Sequence, residues 1–194
     1  MKLCVFQGSF NPVHNAHLRV ADFVCKNYDF DKLLFIPAFC PPHKDIGVAE
    51  DRLEMVRLAA RNNPKFEVSD IEYKRGGKSY TYMTIKELYE EYEIESPICF
   101  IIGTDAFDKI ESWYEADKLK KLVKFLVFIR EDNFDISRYD YLKDKGYDFE
   151  FQSLSYKDIS STELRAKIKK GDDIDGFVPQ IVKEYIEKHG LYKS

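Results

Sequence analysis

The chain has 194 residues, 44% of them hydrophobic and 33% charged, with a formal net charge of -4. That balance fits one folded domain spanning residues 1–194 and excludes a disordered chain. The mild acidity excludes a general nucleic-acid-binding surface, and no apolar run is long enough to span a membrane.

The cysteines Cys4, Cys25, Cys40 and Cys99 are scattered, with no C-x-x-C pair. They suggest neither a zinc site nor a disulfide framework, so a reducing cytoplasm is the expected location. The chain enters its first apolar strand at once, and no signal peptide is expected ahead of it.

That strand is 3–6, Leu3-Cys4-Val5-Phe6. A glycine turn follows, Gly8-Ser9-Phe10-Asn11-Pro12-Val13-His14-Asn15-Ala16-His17, and then a helical pattern on Leu18, Ala21, Cys25 and Tyr28. Further strands are expected at 32–37, 66–69, 97–102, 123–129 and 147–151. Helical patterns fall between them, at about 49–62 with Leu53, Val56 and Ala60 on one face, and about 81–92 with Ile85, Leu88 and Tyr92. The strands read as continuous apolar runs, as expected where helices cover both faces. The alternation predicts an α/β fold with a doubly wound, mostly parallel sheet. Ligands should then meet the loops after Phe6, Pro37 and Ile102. Segment 130–148 is expected to be a solvated excursion, unless Ile136, Tyr139 and Leu142 line a short helix. Near the end, Ser160-Ser161-Thr162-Glu163 opens a helix by capping, and Val178-Pro179 begins another, which Gly190 stops.

A glycine turn between a strand and a helix N-terminus exposes N–H groups suited to a phosphate. His14 and His17, three residues apart, can point toward the same charge. Imidazole donors beside free N–H groups suggest phosphoryl or nucleotidyl transfer, chemistry that is mostly positioning and charge stabilisation. A plain strand-turn-helix with two surface histidines fits the same residues. Ile159-Ser160-Ser161-Thr162-Glu163-Leu164-Arg165 reads as a second anion site, or as a capping box beside a solvated arginine. Lys44 suits phosphates or plain solvation. Asp105 suits ribose hydroxyls or an N-cap. Trp113, the single tryptophan, suits ring stacking or core packing.

The first stretch resembles the leading signature of the adenylyltransferase and cytidylyltransferase superfamily, a Gly-Thr/Ser-Phe-Asp-Pro turn followed by His-x-Gly-His. Asn11 and Ala16 depart from it. Ile159–Arg165 resembles the second signature, Ile-Ser-Ser-Thr-x-Ile/Leu-Arg, which in the superfamily grips the β- and γ-phosphates of ATP. Further matches resemble the bacterial nicotinate-nucleotide adenylyltransferases over nearly the whole chain. They are Pro37-Ala38 with Pro41-Pro42-His43-Lys44, Ser79-Tyr80-Thr81, Ile101-Ile102-Gly103-Thr104-Asp105, Trp113-Tyr114, Tyr185-Ile186 and Gly190-Leu191-Tyr192. Gln7 stands where many members have a second glycine, and Met83 where many have Asp.

The resemblance implies a Rossmann-like nucleotidyltransferase fold whose C-terminal helices, about 160–190, complete an ATP site. It implies adenylyl transfer from ATP to nicotinate mononucleotide, with Mg²⁺ carried by ATP, no protein metal site, and no nucleic-acid or membrane partner. The implied catalytic residues are His14, His17 and Arg165. ATP would meet Gly8, Ser9, Phe10, His17, Lys44, Gly103, Asp105, Ile159, Ser160, Ser161 and Arg165. The mononucleotide would meet Ser9, Phe10, His14, Lys44, Thr81, Trp113 and Tyr114. Transfer to nicotinamide mononucleotide or another phosphate ester is the near alternative, and a non-catalytic nucleotide-binding regulator the distant one. Assembly into a homo-oligomer stays open.

Overall fold

The computed structural model describes residues 1–42, 48–129, 134–154 and 159–193. Strand β1 (Leu3–Gly8) leads through a turn into α1 (Asn15–Asn27) and β2 (Lys32–Pro37). Then come α2 (Ala49–Ala60), β3 (Phe66–Val68), α3 (Ile71–Arg75) and α4 (Thr81–Glu91). The second half holds β4 (Ile98–Gly103), α5 (Thr104–Phe107), α6 (Ala116–Leu119), β5 (Val123–Ile129) and α7 (Asp140–Asp144). It closes with β6 (Phe149–Ser153), α8 (Ser161–Lys170) and α9 (Gln180–His189). The strands lie in the order β3-β2-β1-β4-β5-β6. Every pairing is parallel, so the expected mostly parallel sheet is parallel throughout.

The apolar runs are explained by period-two side chains with a helix layer on each face. Leu3, Val5, Leu34, Ile36, Phe100, Ile102, Phe125 and Val127 face one layer, with Ile85 and Leu88 of α4, Phe107 of α5 and Leu142 of α7. Cys4, Phe6, Leu33, Phe35, Ile101, Leu126 and Phe128 face the other. There they meet Val20 and Val24 of α1, Met55 and Val56 of α2, Leu164 of α8, and Val182 and Ile186 of α9. Residues of α8 and α9 therefore share a core with the first strand.

The β2 and β5 expectations match the observed bounds, while the last strand starts later, at Phe149, because Tyr147 is buried in the core ahead of it. The part of 130–148 that is described is not a solvated excursion. Tyr139 and Leu142 are buried, whereas Ile136 is 53% exposed. Tyr139 stacks on Phe134, with ring centroids 5.5 Å apart. Short helices α3, α5 and α6 carry too few residues for a periodic signal. Cys4 is buried, and Cys99 beside it in register is only partly so.

Phe125 is fully buried at the centre of the α4-side core. Phe125→Ala should cost about 3–5 kcal/mol, read as a lower urea midpoint at unchanged slope. A loss below about 1 kcal/mol would mean that this core repacks around the change.

Candidate active site

The order of strands reverses between β1 and β4. Their register pairs end at Val5–Phe100, so Phe6–Gly8 and Ile101–Gly103 part toward the carboxyl ends. The chain leaving β1 enters α1 on one face, and the chain leaving β4 enters α5 on the other. A crevice at that switch point is where such sheets bind ligands.

The turn after β1 lines this crevice. Phe10 lies in the left-handed region at φ 45°, a strain of about 1–3 kcal/mol for a non-glycine residue. Its buried ring holds it there, 5.0 Å from His17 and 5.5 Å from Phe6. A Cβ at Gly8 would lie 3.1 Å from that ring, a tight contact that the ring could relieve only by shifting a few tenths of an ångström. The carbonyls of the turn are tied to other elements. Arg52 Nη1 donates to Ser9 O at 2.9 Å, Arg165 Nη1 to Asn11 O at 2.7 Å, and Ser161 Oγ to Pro12 O at 3.0 Å. Tyr192 donates to the Asn11 side-chain oxygen at 2.7 Å, which gives the Asn-for-Asp departure an acceptor role. Burial raises the Tyr192 phenol above its ordinary pKa, so it stays a donor.

His14 is the N-cap of α1 and is buried, while His17 one turn on is half-buried. Their rings stack at 3.7 Å, so the spacing does bring them together. His17 Nδ1 accepts from the His14 N–H at 3.2 Å, which makes the neutral ring the Nε2–H tautomer. At α8, Ser160 and Glu163 form the capping box, with Glu163 N–H donating to Ser160 Oγ at 3.1 Å. The box and the arginine coexist, but Arg165 is not merely solvated: it reaches back to the first signature. Ile159 is buried, and with Ala16 it lines a small cavity of about 120 Å³.

On the other side of the crevice, Thr81 at the first turn of α4 donates to Gln7 Oε1 at 2.8 Å. Gln7 donates in turn to Glu72. Glu72 is 1% exposed and also accepts from Thr84 Oγ1 at 2.7 Å and Phe39 N–H at 3.0 Å, with Arg75 3.8 Å away. Gln7, the departure from glycine, thus fixes α4 to the end of β1. Trp113 is half-buried, edge-on to Phe100 at 6.3 Å, so packing accounts for one of its faces. Tyr114 is 48% exposed and lies 4.6 Å from Tyr80. Asp105 is exposed in the first turn of α5, whose N-cap is Gly103, so the capping reading of Asp105 is corrected. Lys44 lies outside the described residues.

Arg52, Glu72 and Tyr192 escaped the sequence reading as site residues. Arg52 carries a signal, since it lies three and four residues before Met55 and Val56 on the buried face of α2. Its guanidinium is 1% exposed and no carboxylate pairs with it among the described residues, an arrangement that costs several kcal/mol unless compensated. Glu72 shows only in three dimensions, because its hydrogen-bond donors come from three separate segments.

The sequence matches the cytidylyltransferase-like family over residues 5–167. It is 40% identical to the probable nicotinate-nucleotide adenylyltransferase of Fusobacterium nucleatum, over 97% of this chain and 98% of that one. The probable nicotinate-nucleotide adenylyltransferase of Clostridium tetani is 37% identical over 99% of each chain. This chain belongs to the nicotinate-nucleotide adenylyltransferase family. Its fold is that of the Plasmodium falciparum nicotinic acid mononucleotide adenylyltransferase complexed with NaAD. That match has a TM-score of 0.82 and 24% identity, over 98% of this chain and 97% of the other. The same parasite enzyme complexed with APC gives a TM-score of 0.76 and 25% identity, over 98% and 96%. In this family member the two signatures, far apart in sequence, are in direct hydrogen-bonded contact.

Glu72→Ala should destabilise the protein by about 3 kcal/mol or more, because it strands buried donors of Gln7, Thr84 and Phe39. Thermal unfolding checks this, and an unchanged midpoint would show that water takes the carboxylate's place.

Proposed function

We infer that this chain transfers the adenylyl group of ATP to nicotinate mononucleotide, releasing deamido-NAD and pyrophosphate, in NAD biosynthesis. The contact of Arg165 and Ser161 with the carbonyls of Asn11 and Pro12 carries this reading best. It sets the second signature's helix N-terminus against the glycine turn, so that two candidate anion sites adjoin at the switch point.

A 5′-phosphate oxygen of the mononucleotide attacks the α-phosphorus of ATP in line. The bond from that phosphorus to the β-bridging oxygen breaks, and pyrophosphate leaves. No protein nucleophile is needed. His17 Nε2–H and His14 neutralise the α-phosphate as charge builds. Ser160, Ser161 and Arg165 hold the leaving pyrophosphate, joined by Lys44. Gly8, Ser9 and Phe10 offer backbone donors to the shared phosphate. Gly103 and Asp105, at the end of β4, suit the adenosine ribose. Ile159 suits the base, which the adjoining small cavity supports. ATP would bring Mg²⁺ with it, and the ion would neutralise phosphate charge as pyrophosphate leaves. The C-terminal helices thus belong to one catalytic domain with residues 1–154. The protein works in the cytoplasm on small molecules.

The acceptor ring is placed against Trp113 and Tyr114, with the first turn of α4 facing its carboxylate. Thr81, Tyr82 and Met83 supply the first N–H groups there, and no side chain caps them among the described residues. An anion fits that helix end better than a neutral amide, which favours nicotinate over nicotinamide. The reading is tested by incubating ATP and Mg²⁺ with either mononucleotide and following pyrophosphate. Release should be faster with the nicotinate form. Equal release, or a preference for the amide, contradicts the acceptor assignment, and no release contradicts the enzyme.

His17→Ala should lower kcat about a hundredfold or more, the value of one donor aimed at transition-state charge, with little change in ATP binding. Near-normal turnover in a folded variant would remove His17 from the mechanism. Arg165→Lys keeps the charge but not the fork, so KM for ATP should rise while that for the mononucleotide stays put. A rise for the mononucleotide alone would move α8 to the other substrate.

A further inference from the structure

Arg52 belongs to neither signature, yet it is the largest fully buried side chain among the described residues. It leaves α2 and forks into the loops after β1 and β2. Nη1 donates to Ser9 O at 2.9 Å and to Ala38 O at 2.6 Å, and Nη2 to Phe39 O at 3.0 Å. Nε has no partner among the described residues. Two of the three peptide units it grips are held at both ends. The Phe39 N–H donates to Glu72 at 3.0 Å and the Cys40 N–H to Ser79 Oγ at 2.9 Å. The third unit, Ser9–Phe10, is held only at its carbonyl. In a planar trans peptide the N–H points opposite to the C=O. With Ser9 O drawn inward, the Phe10 N–H is turned away from Arg52, and no acceptor takes it among the described residues.

The charge matters as well as the geometry. A buried cation facing only carbonyls keeps a positive field in a low-dielectric setting. Glu72 and Glu50 act on it only through space, and burial lowers its pKa without discharging an arginine. A neutral donor could meet the same carbonyls without the cost of desolvating a cation, so the hydrogen bonds alone do not account for the charge.

We propose that Arg52 is a positioning residue for the phosphate site: it turns the Phe10 N–H toward bound phosphate and sets a buried positive charge beneath the glycine turn. This rests on the reading of that turn as the phosphate site of an ATP-using enzyme.

The test is calorimetric binding of ATP, AMP and adenosine to the full chain and to Arg52→Met, with turnover measured alongside. Arg52→Met should bind ATP and AMP at least tenfold more weakly while adenosine changes less than twofold. A merely structural arginine would weaken all three alike, and that result, or no change at all, overturns the proposal. Arg52→Lys keeps the charge and remains decisive should Arg52→Met fail to fold. It should hold the ratio of ATP to adenosine affinity within about threefold while turnover falls at least tenfold, because one ammonium cannot grip three carbonyls. Unchanged turnover, or loss of the ratio, overturns the proposal. An unsubstituted chain that binds neither ATP nor AMP overturns the ATP-site reading itself, and the role of Arg52 with it.

Discussion

The carbonyl groups of the turn after β1 are turned into the protein, and most of the site follows from that. Ser9 O is held by Arg52, Asn11 O by Arg165 and Pro12 O by Ser161. Peptide oxygens drawn inward leave the outer surface of the turn to N–H groups and to the N-terminus of α1, the polarity a phosphate requires. The donors come from α2 and α8, elements that the sheet topology brings to the same carboxyl edge. A chain that buried these carbonyls against apolar groups instead would leave them unsatisfied, at a cost of about 1–3 kcal/mol each.

This turn is also where the fold accepts strain. Phe10 is left-handed at φ 45° and its ring is wedged among Phe6, Phe35 and His17. Packing of that ring opposes the strain, and the glycine at position 8 makes room for it. Function and stability are coupled here through one aromatic side chain. Across the crevice the coupling is polar, through Gln7, Thr81 and Glu72. In the proposed reading one side would face phosphate and the other the ring of the acceptor.

The sheet was legible because its strands are short apolar runs separated by amphipathic helices, and a parallel sheet covered on both faces leaves few other arrangements. The signatures were legible because glycine, histidine and hydroxyl residues at a helix start have few uses in common. Arg52 was hidden by a helical pattern that classes any charged residue as solvent-facing. Glu72 was hidden because its donors lie in β1, in the loop after β2 and in α4, so no window of sequence contains the cluster. The N-cap alternative for Asp105 fails because Gly103, with no side chain to signal it, takes that place. Tyr139 and Leu142 are buried although their segment is rich in charge, since a single turn of helix suffices to turn two apolar groups inward.

The central claim is that the glycine turn after β1 and His17 hold the phosphates joined by the transfer. A crystal structure with deamido-NAD tests it most directly. The account predicts that the dinucleotide's diphosphate lies within hydrogen-bond distance of the Phe10 N–H and His17 Nε2. Its nicotinate carboxylate should lie at the first turn of α4. A diphosphate bound away from the Ser9–Phe10 peptide, or a ring remote from Trp113 and α4, would contradict it.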